Sequence, residues 1–211
     1  MNKKEKARLV TELLEKRYPD PECGLIWGGD PYRLLVMAIL SAQCTDARVN
    51  EVAKTLFMRF PTVESMANAE ITDIENEIRS VGLYRSKALA LKECCKRVNE
   101  VYGGKVPSEI DDLLTLRGVG RKVANLIRGD IFGLGGIVAD THCIRISGRL
   151  GLSDGKDPLK TERDLQRVIP LEKQSDYCHR MVLFGREVCI VRKPKCAECE
   201  LKEICVYKDE K

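Results

Sequence analysis

Apolar residues recur at three- and four-residue spacing through most of this chain, and nowhere alternate with period two over a useful length. That pattern predicts an all-α protein. Leu9, Val10, Leu13 and Leu14 mark a first helix from Arg8 to Arg17, stopped by Pro19 and Pro21. Asp30-Pro31 reads as an N-cap followed by proline at the first helical position. Leu34 to Leu40 is apolar on all sides, the mark of a buried central helix. Ser41-Ala42-Gln43-Cys44 is a polar break behind it, and Thr45 or Asp46 caps a helix that buries Val49, Val52, Leu56 and Phe57. Ile71, Ile74, Ile78 and Val81 predict a helix closed by Gly82, with Leu83-Tyr84-Arg85 as a short link. Ala88 to Tyr102 predicts a helix ended by Gly103-Gly104. Beyond Gly133–Gly136, helices are expected over Ile144–Leu150, after a Thr161/Asp164 capping box, and from Ser175 or Asp176 through Phe184.

Between two of these helices lies Leu116-Arg117-Gly118-Val119-Gly120-Arg121-Lys122. Ser108 with Asp111 reads as a capping box for a helix from Glu109 to about Leu116. Val123, Leu126, Ile127 and Ile131 predict a second helix starting near Arg121. Gly118 and Gly120 permit positive φ and leave the backbone open to a close approach. A tight turn there aims free N–H groups and the positive end of the second helix at one point, which suits a phosphate on Gly118, Val119, Gly120 and Arg121. An αα-hairpin with no ligand uses the same pattern. Arg117, Arg121, Lys122 and Arg128, with no acid among them, favour the phosphate.

The formal charge is only +4, from 36 basic and 32 acidic residues, so a nucleic-acid surface must be local. With 211 residues the chain can form one large core or two lobes. The boundary is expected near Gly133–Gly136, with the first helix packing back on the C-terminal part. No apolar run is long enough to span a membrane, and Met1–Lys6 has no apolar stretch behind it, so neither an anchor nor a secretory signal is expected.

Ten cysteines then point to a reducing cytosol and to metal before disulfides. Cys189, Cys196, Cys199 and Cys205 follow C-x6-C-x2-C-x5-C in a polar segment. Four thiolates so close suit one tetrahedral zinc or one cuboidal four-iron cluster, and spacing does not separate the two. The loop also carries Arg192, Lys193 and Lys195, which suit a DNA backbone. The other six cysteines read as small core residues.

Taken together, Leu116-x-Gly118-Val119-Gly120-Arg121-Lys122, Val138-Ala139-Asp140-Thr141-His142, Ser41-Ala42-Gln43-x-Thr45-Asp46, Gly82-Leu83-Tyr84-x-Ser86-Lys87 and the cysteine tail resemble endonuclease III. That family belongs to the helix–hairpin–helix/Gly-Pro-Asp superfamily of DNA glycosylases. The resemblance runs from about Pro31 to Tyr207, with Arg117 standing where the family usually has proline. It implies two helical lobes with DNA across the cleft between them. Residues 24–133 would form a six-helix barrel with the helix–hairpin–helix at about 109–131. Residues 1–23 and 134–211 would form a second lobe around a [4Fe–4S] cluster in the 189–205 loop, held by the four cysteines.

The implied activity is a bifunctional glycosylase and AP lyase, a cytoplasmic monomer (nucleoid-associated in a prokaryote) that removes oxidised pyrimidines from double-stranded DNA. The damaged nucleotide must leave the stack. By resemblance Gln43 fills the vacated space and Leu83 wedges from the other side. Lys122 is the implied nucleophile, forming a Schiff base before β-elimination, and burial beside the positive helix end is expected to favour its uncharged amine. Asp140 is the implied carboxylate partner, though an aspartate ahead of Thr141 and His142 also reads as a helix N-cap. His142 reads as structural. An adenine-removing glycosylase of this fold lacks a lysine at position 122 and uses a glutamate in the central helix, where Leu34–Leu40 has no carboxylate. Lys122 also disfavours a thymine-mismatch glycosylase. A non-catalytic iron–sulfur DNA-binding module would need neither Lys122 nor Asp140.

Overall fold

The computed structural model describes residues 1–207. In chain order the helices are α1 Lys3–Arg17, α2 Pro31–Leu40, α3 Asp46–Arg59, α4 Val63–Ala67, α5 Ile71–Glu77, α6 Tyr84–Tyr102, α7 Ile110–Leu114, α8 Arg121–Phe132, α9 Thr141–Arg149, α10 Pro158–Gln166 and α11 Gln174–Glu187. The described residues contain no strand, and none of their helices is long and apolar enough to cross a membrane. The chain divides into two compact units, one of residues 1–22 with those from Gly133 on, the other Cys23–Phe132.

The unit Cys23–Phe132 is built around α2. Asp30 caps this helix by accepting the Tyr32 N–H, Pro31 opens it, and every residue from Leu34 to Leu40 is buried. A helix buried all round needs neighbours on every side. Val49, Val52 and Leu56 of α3, Ala88, Leu91 and Cys95 of α6, and Ala124 and Ile127 of α8 share its core. Each large aliphatic side chain so buried stabilises the unit by about 2 kcal/mol. The polar turn after α2 forms where the sequence predicts it, and Thr45 caps α3.

In the other unit, Ala7, Val10 and Leu14 of α1 lie in one core with Cys143 and Ile146 of α9 and Tyr177, Met181 and Phe184 of α11. The buried Arg180 side chain donates to the Tyr18 and Pro19 carbonyls, tying the end of α1 to α11.

Several local expectations change. The first helix starts at Lys3, where Asn2 and Glu5 form a capping box, a turn before Arg8. Helix α4, capped by Thr62, was not evident from periodicity because it is little more than one turn. Ser108 caps nothing: α7 has Glu109 at its N-cap position, and the Ser108 hydroxyl bonds the Glu109 carboxylate instead. Thr161 lies buried inside α10, which Asp157 caps and Pro158 opens. Ser108 thus falls one residue before the N-cap position of α7, and Thr161 falls inside a helix that has already started. Tyr84-Arg85 is the first turn of α6 and not a link.

Candidate nucleic-acid interface and metal centre

Between α7 and α8 the chain turns on residues whose burial alternates sharply. Leu116 and Val119 are buried and anchor the turn, while Arg117, Gly118, Gly120, Arg121 and Lys122 are exposed. Gly118 has φ +83°, and a Cβ there would lie 3.1 Å from Ile39 Cγ2 and 3.2 Å from Ala90 Cβ. Glycine is thus required twice, by the dihedral and by the closeness of α2 and α6. The Val119 N–H donates to the Leu116 carbonyl at 3.1 Å, and the Gly120 carbonyl accepts the first helical bond of α8, from Ala124, at 2.9 Å. Gly120 therefore sits at the N-cap position with no side-chain oxygen to accept the first N–H groups of α8. The first turn of α8 carries no acid. Its exposed residues are Arg121 and Lys122, so the burial expected for Lys122 is not found. Arg117 forms an ion pair with Glu93 of α6, which occupies the guanidinium that sequence alone would leave for a phosphate.

Gln43 and Leu83 share an unusual backbone. Among the described residues the non-glycine residues with positive φ are Gln43 (53°), Leu83 (60°) and Lys193 (54°). Each such residue costs on the order of 1 kcal/mol or more, and such strain clusters at functional sites. Gln43 is exposed, and Leu83 is 63% exposed although it is a leucine. Leu83 occupies the N-cap position of α6. A Cβ on Gly82 would lie 3.8 Å from the Gln43 carbonyl, so the two loops are neighbours. Lys87, which sequence reasoning left without a role, is 6% exposed and donates through Nζ to the carbonyls of Leu40 (2.9 Å) and Ala42 (2.6 Å). Burial pushes its ammonium below the ordinary lysine value. No sequence signal separates this lysine from a solvated one on the same helix.

Asp140 is the N-cap of α9, and its Oδ1 accepts the Cys143 N–H at 2.7 Å. The residue is half-buried. His142 packs against α11: a Cβ on Gly185 would lie 2.3 Å from its Nδ1, and that nitrogen is 3.2 Å from Arg145 Nη2. A glycine is needed in α11 to admit the ring, which supports a structural part for His142.

Cys189, Cys196, Cys199 and Cys205 are half-buried, form no disulfide, and line one cavity of about 190 Å³. Ile146, Leu150, Phe184 and Leu201 supply its apolar walls. Arg149 also meets the cysteine loop, a contact that spacing could not reveal. Its Nη1 donates to the Cys189 sulfur at 3.3 Å and to the Ile190 carbonyl at 2.9 Å. Its Nη2 donates to the Val191 carbonyl, and its guanidinium stacks on Tyr207. The Lys195 N–H donates to the Val188 carbonyl, closing a loop on which Arg192 and Lys193 are exposed. Arg17 of α1 braces the loop by pairing with Glu187 and Glu200, and Tyr18 donates to Glu187. Burial and the Glu187 carboxylate push the Tyr18 phenol up to about 12, while the Tyr18 and Arg17 hydrogen bonds hold Glu187 below the usual carboxylate value.

The family model described as "HhH-GPD superfamily base excision DNA repair protein" matches residues 36–171. Endonuclease III of Synechocystis sp. is 42% identical over 205 residues, covering 97% of this chain and 93% of the relative. Endonuclease III of Escherichia coli K12 is 35% identical over 209 residues, covering 99% and 98%. A trapped endonuclease III–DNA covalent intermediate superposes with TM-score 0.91 at 40% identity, covering 98% of this chain and 97% of that one. A thermostable thymine-DNA glycosylase shares the fold at TM-score 0.85 and 24% identity. With a family model over most of the chain and relatives above a third identical along nearly all of it, the chain belongs to the endonuclease III family of HhH-GPD base excision DNA repair proteins.

Proposed function

We propose that this member of the endonuclease III family removes oxidised pyrimidines from duplex DNA, with Lys122 as nucleophile and Asp140 as its carboxylate partner. The activity is that of a bifunctional DNA glycosylase and AP lyase of base excision repair. The observation that carries the role of Lys122 is its place: exposed in the first turn of α8, beside Arg121, after a glycine at the N-cap position. That helix end takes a DNA phosphate on backbone N–H groups, and Lys122 follows directly. With the side chain exposed in the free protein, exclusion of water from the amine falls to the docked duplex.

The uncharged Lys122 amine attacks C1′ as the bond to the base breaks, and the base leaves with a proton. The remaining amine proton passes to O4′ as the C1′–O4′ bond breaks, which opens the sugar and leaves the Schiff base between Lys122 and C1′. Removal of a C2′ proton then expels the 3′ phosphate by β-elimination, and water releases the unsaturated aldehyde and the free lysine. Asp140 stabilises positive charge on the sugar and assists proton transfer, while one of its oxygens keeps the α9 cap. Gln43 fills the space left by the extruded nucleotide, Leu83 wedges the opposite strand, and Arg192 and Lys193 contact phosphates.

The four cysteines fit a [4Fe–4S] cluster. Their side chains line one cavity with apolar walls, and four thiolates around a single cavity suit a cuboidal cluster. Arg149 offers a donor to the Cys189 sulfur, as cluster sulfurs commonly receive. When bound, the cluster supplies a cross-link that holds a loop too polar to fold by burial. The protein acts as a monomer in the cytoplasm, and on the nucleoid in a prokaryote.

Incubation with a duplex containing thymine glycol tests this reading. Strand scission leaving a β-elimination product 3′ to the lesion is expected. Tight binding without scission would replace it with a docking module.

A further inference from the structure

Lys87 is buried, yet its ammonium meets no carboxylate in the hydrogen bonds it makes. It donates instead to the Leu40 and Ala42 carbonyls. Leu40 is the last residue of α2, so the charge also lies at the negative end of that helix. A methionine would fill the same space without the desolvation that burial of an ammonium demands. What the charge adds is a fixed distance between the 41–44 turn and α6. Both ends of that distance carry strain. Gln43 follows Ala42 directly at φ 53°, and Leu83 at φ 60° accepts the Lys87 N–H at 3.0 Å, one helical turn away. Lys87 thus spans the residue before Gln43 and the turn that starts from Leu83.

We propose that Lys87 is a positioning residue for nucleotide extrusion, setting the spacing between Gln43 and Leu83 by clamping the 41–44 turn to α6. This rests on the roles given above to Gln43 and Leu83. It assigns Lys87 no contact with DNA and no part in bond breaking. Loss of the clamp lets the 41–44 turn relax from its left-handed conformation, so Gln43 enters the stack less often. Docking of the hairpin on the backbone continues.

The test is a double-mutant cycle on the full protein with Lys87→Met, Gln43→Ala and both together. The readouts are kcat and KM on a thymine glycol duplex, and fluorescence of 2-aminopurine opposite a tetrahydrofuran abasic analogue. Lys87→Met is expected to lower kcat by roughly 10- to 100-fold, with little change in KM. It should reduce the 2-aminopurine response to that of Gln43→Ala, and the double variant should lose nothing further. Additive losses in the double variant would overturn the proposal, as would full activity and full fluorescence response in Lys87→Met. If Gln43→Ala alone is as active as wild type, the space-filling role of Gln43 fails whatever Lys87 does. If Lys87→Met does not fold, Lys87→Leu, which also removes the donors to the Leu40 and Ala42 carbonyls, enters the same cycle with the same expected and overturning outcomes.

Discussion

The Asp140 carboxylate accepts the Cys143 backbone N–H at 2.7 Å, so the carboxylate proposed for the chemistry is also the N-cap of α9. The two duties separate by substitution. Asparagine caps a helix about as well as aspartate but carries no charge. Asp140→Asn should keep the melting temperature within about 2 °C while activity on a thymine glycol duplex falls by on the order of 100-fold or more. Asp140→Ala should lose the activity and about 1 kcal/mol of stability as well, a further drop of roughly 2–4 °C. Thermal melts and single-turnover kinetics on the purified variants check this.

The hairpin glycines should respond unequally. Gly118→Ala forces a Cβ at φ +83° to 3.1 Å from Ile39 Cγ2 and should cost about 2 kcal/mol. A Cβ on Gly120 meets nothing within 4 Å, so Gly120→Ala should change stability by less than about 1 kcal/mol. Chemical denaturation measures both. DNA affinity should fall with Gly118→Ala because the displaced turn no longer aims its N–H groups.

The cysteine loop should depend on its metal. Cys199→Ser should purify with little iron and sulfide, lose the brown colour, and become open to protease within 189–205. The core of Ala7, Leu14, Tyr177 and Met181 should still fold, because these fully buried residues pack among apolar neighbours and none of them lines the cysteine cavity. Iron and sulfide analysis with limited proteolysis reads the result.

Acid should loosen the brace between α1 and the loop. Glu187 is held below the usual carboxylate value, so its contribution is present above the unfolded value of about 4.3 and is lost as pH falls through the folded one. Glu187 is exposed, so the effect is small. Wild type should melt slightly above Glu187→Gln at neutral pH, and the gap should close below about pH 4.

Much of the fold was legible in the chain because one signal, helical periodicity, was reinforced by unambiguous punctuation. Asp30-Pro31 and Gly103 each mark an end that local chemistry alone decides. The S/T-x-x-D patterns misled at Ser108 and Thr161 because α7 starts one residue later, with Glu109 at its N-cap position, and α10 starts earlier, capped by Asp157; the pattern cannot rank such neighbouring starts. The candidate hairpin and cysteine residues could be named because they are contiguous. Lys87, Arg149 and the Arg117–Glu93 pair could not, since their partners are distant in sequence and a lysine or arginine on an amphipathic helix looks the same buried or solvated.

Borohydride trapping on abasic duplex DNA, followed by mapping of the adducted peptide, reaches the chemistry itself. A reduced covalent adduct on Lys122 is expected, absent in Lys122→Ala. That variant should stay folded, since the side chain is exposed, and still bind the duplex. An adduct on another amine, or undiminished trapping in Lys122→Ala, would contradict Lys122 as the nucleophile.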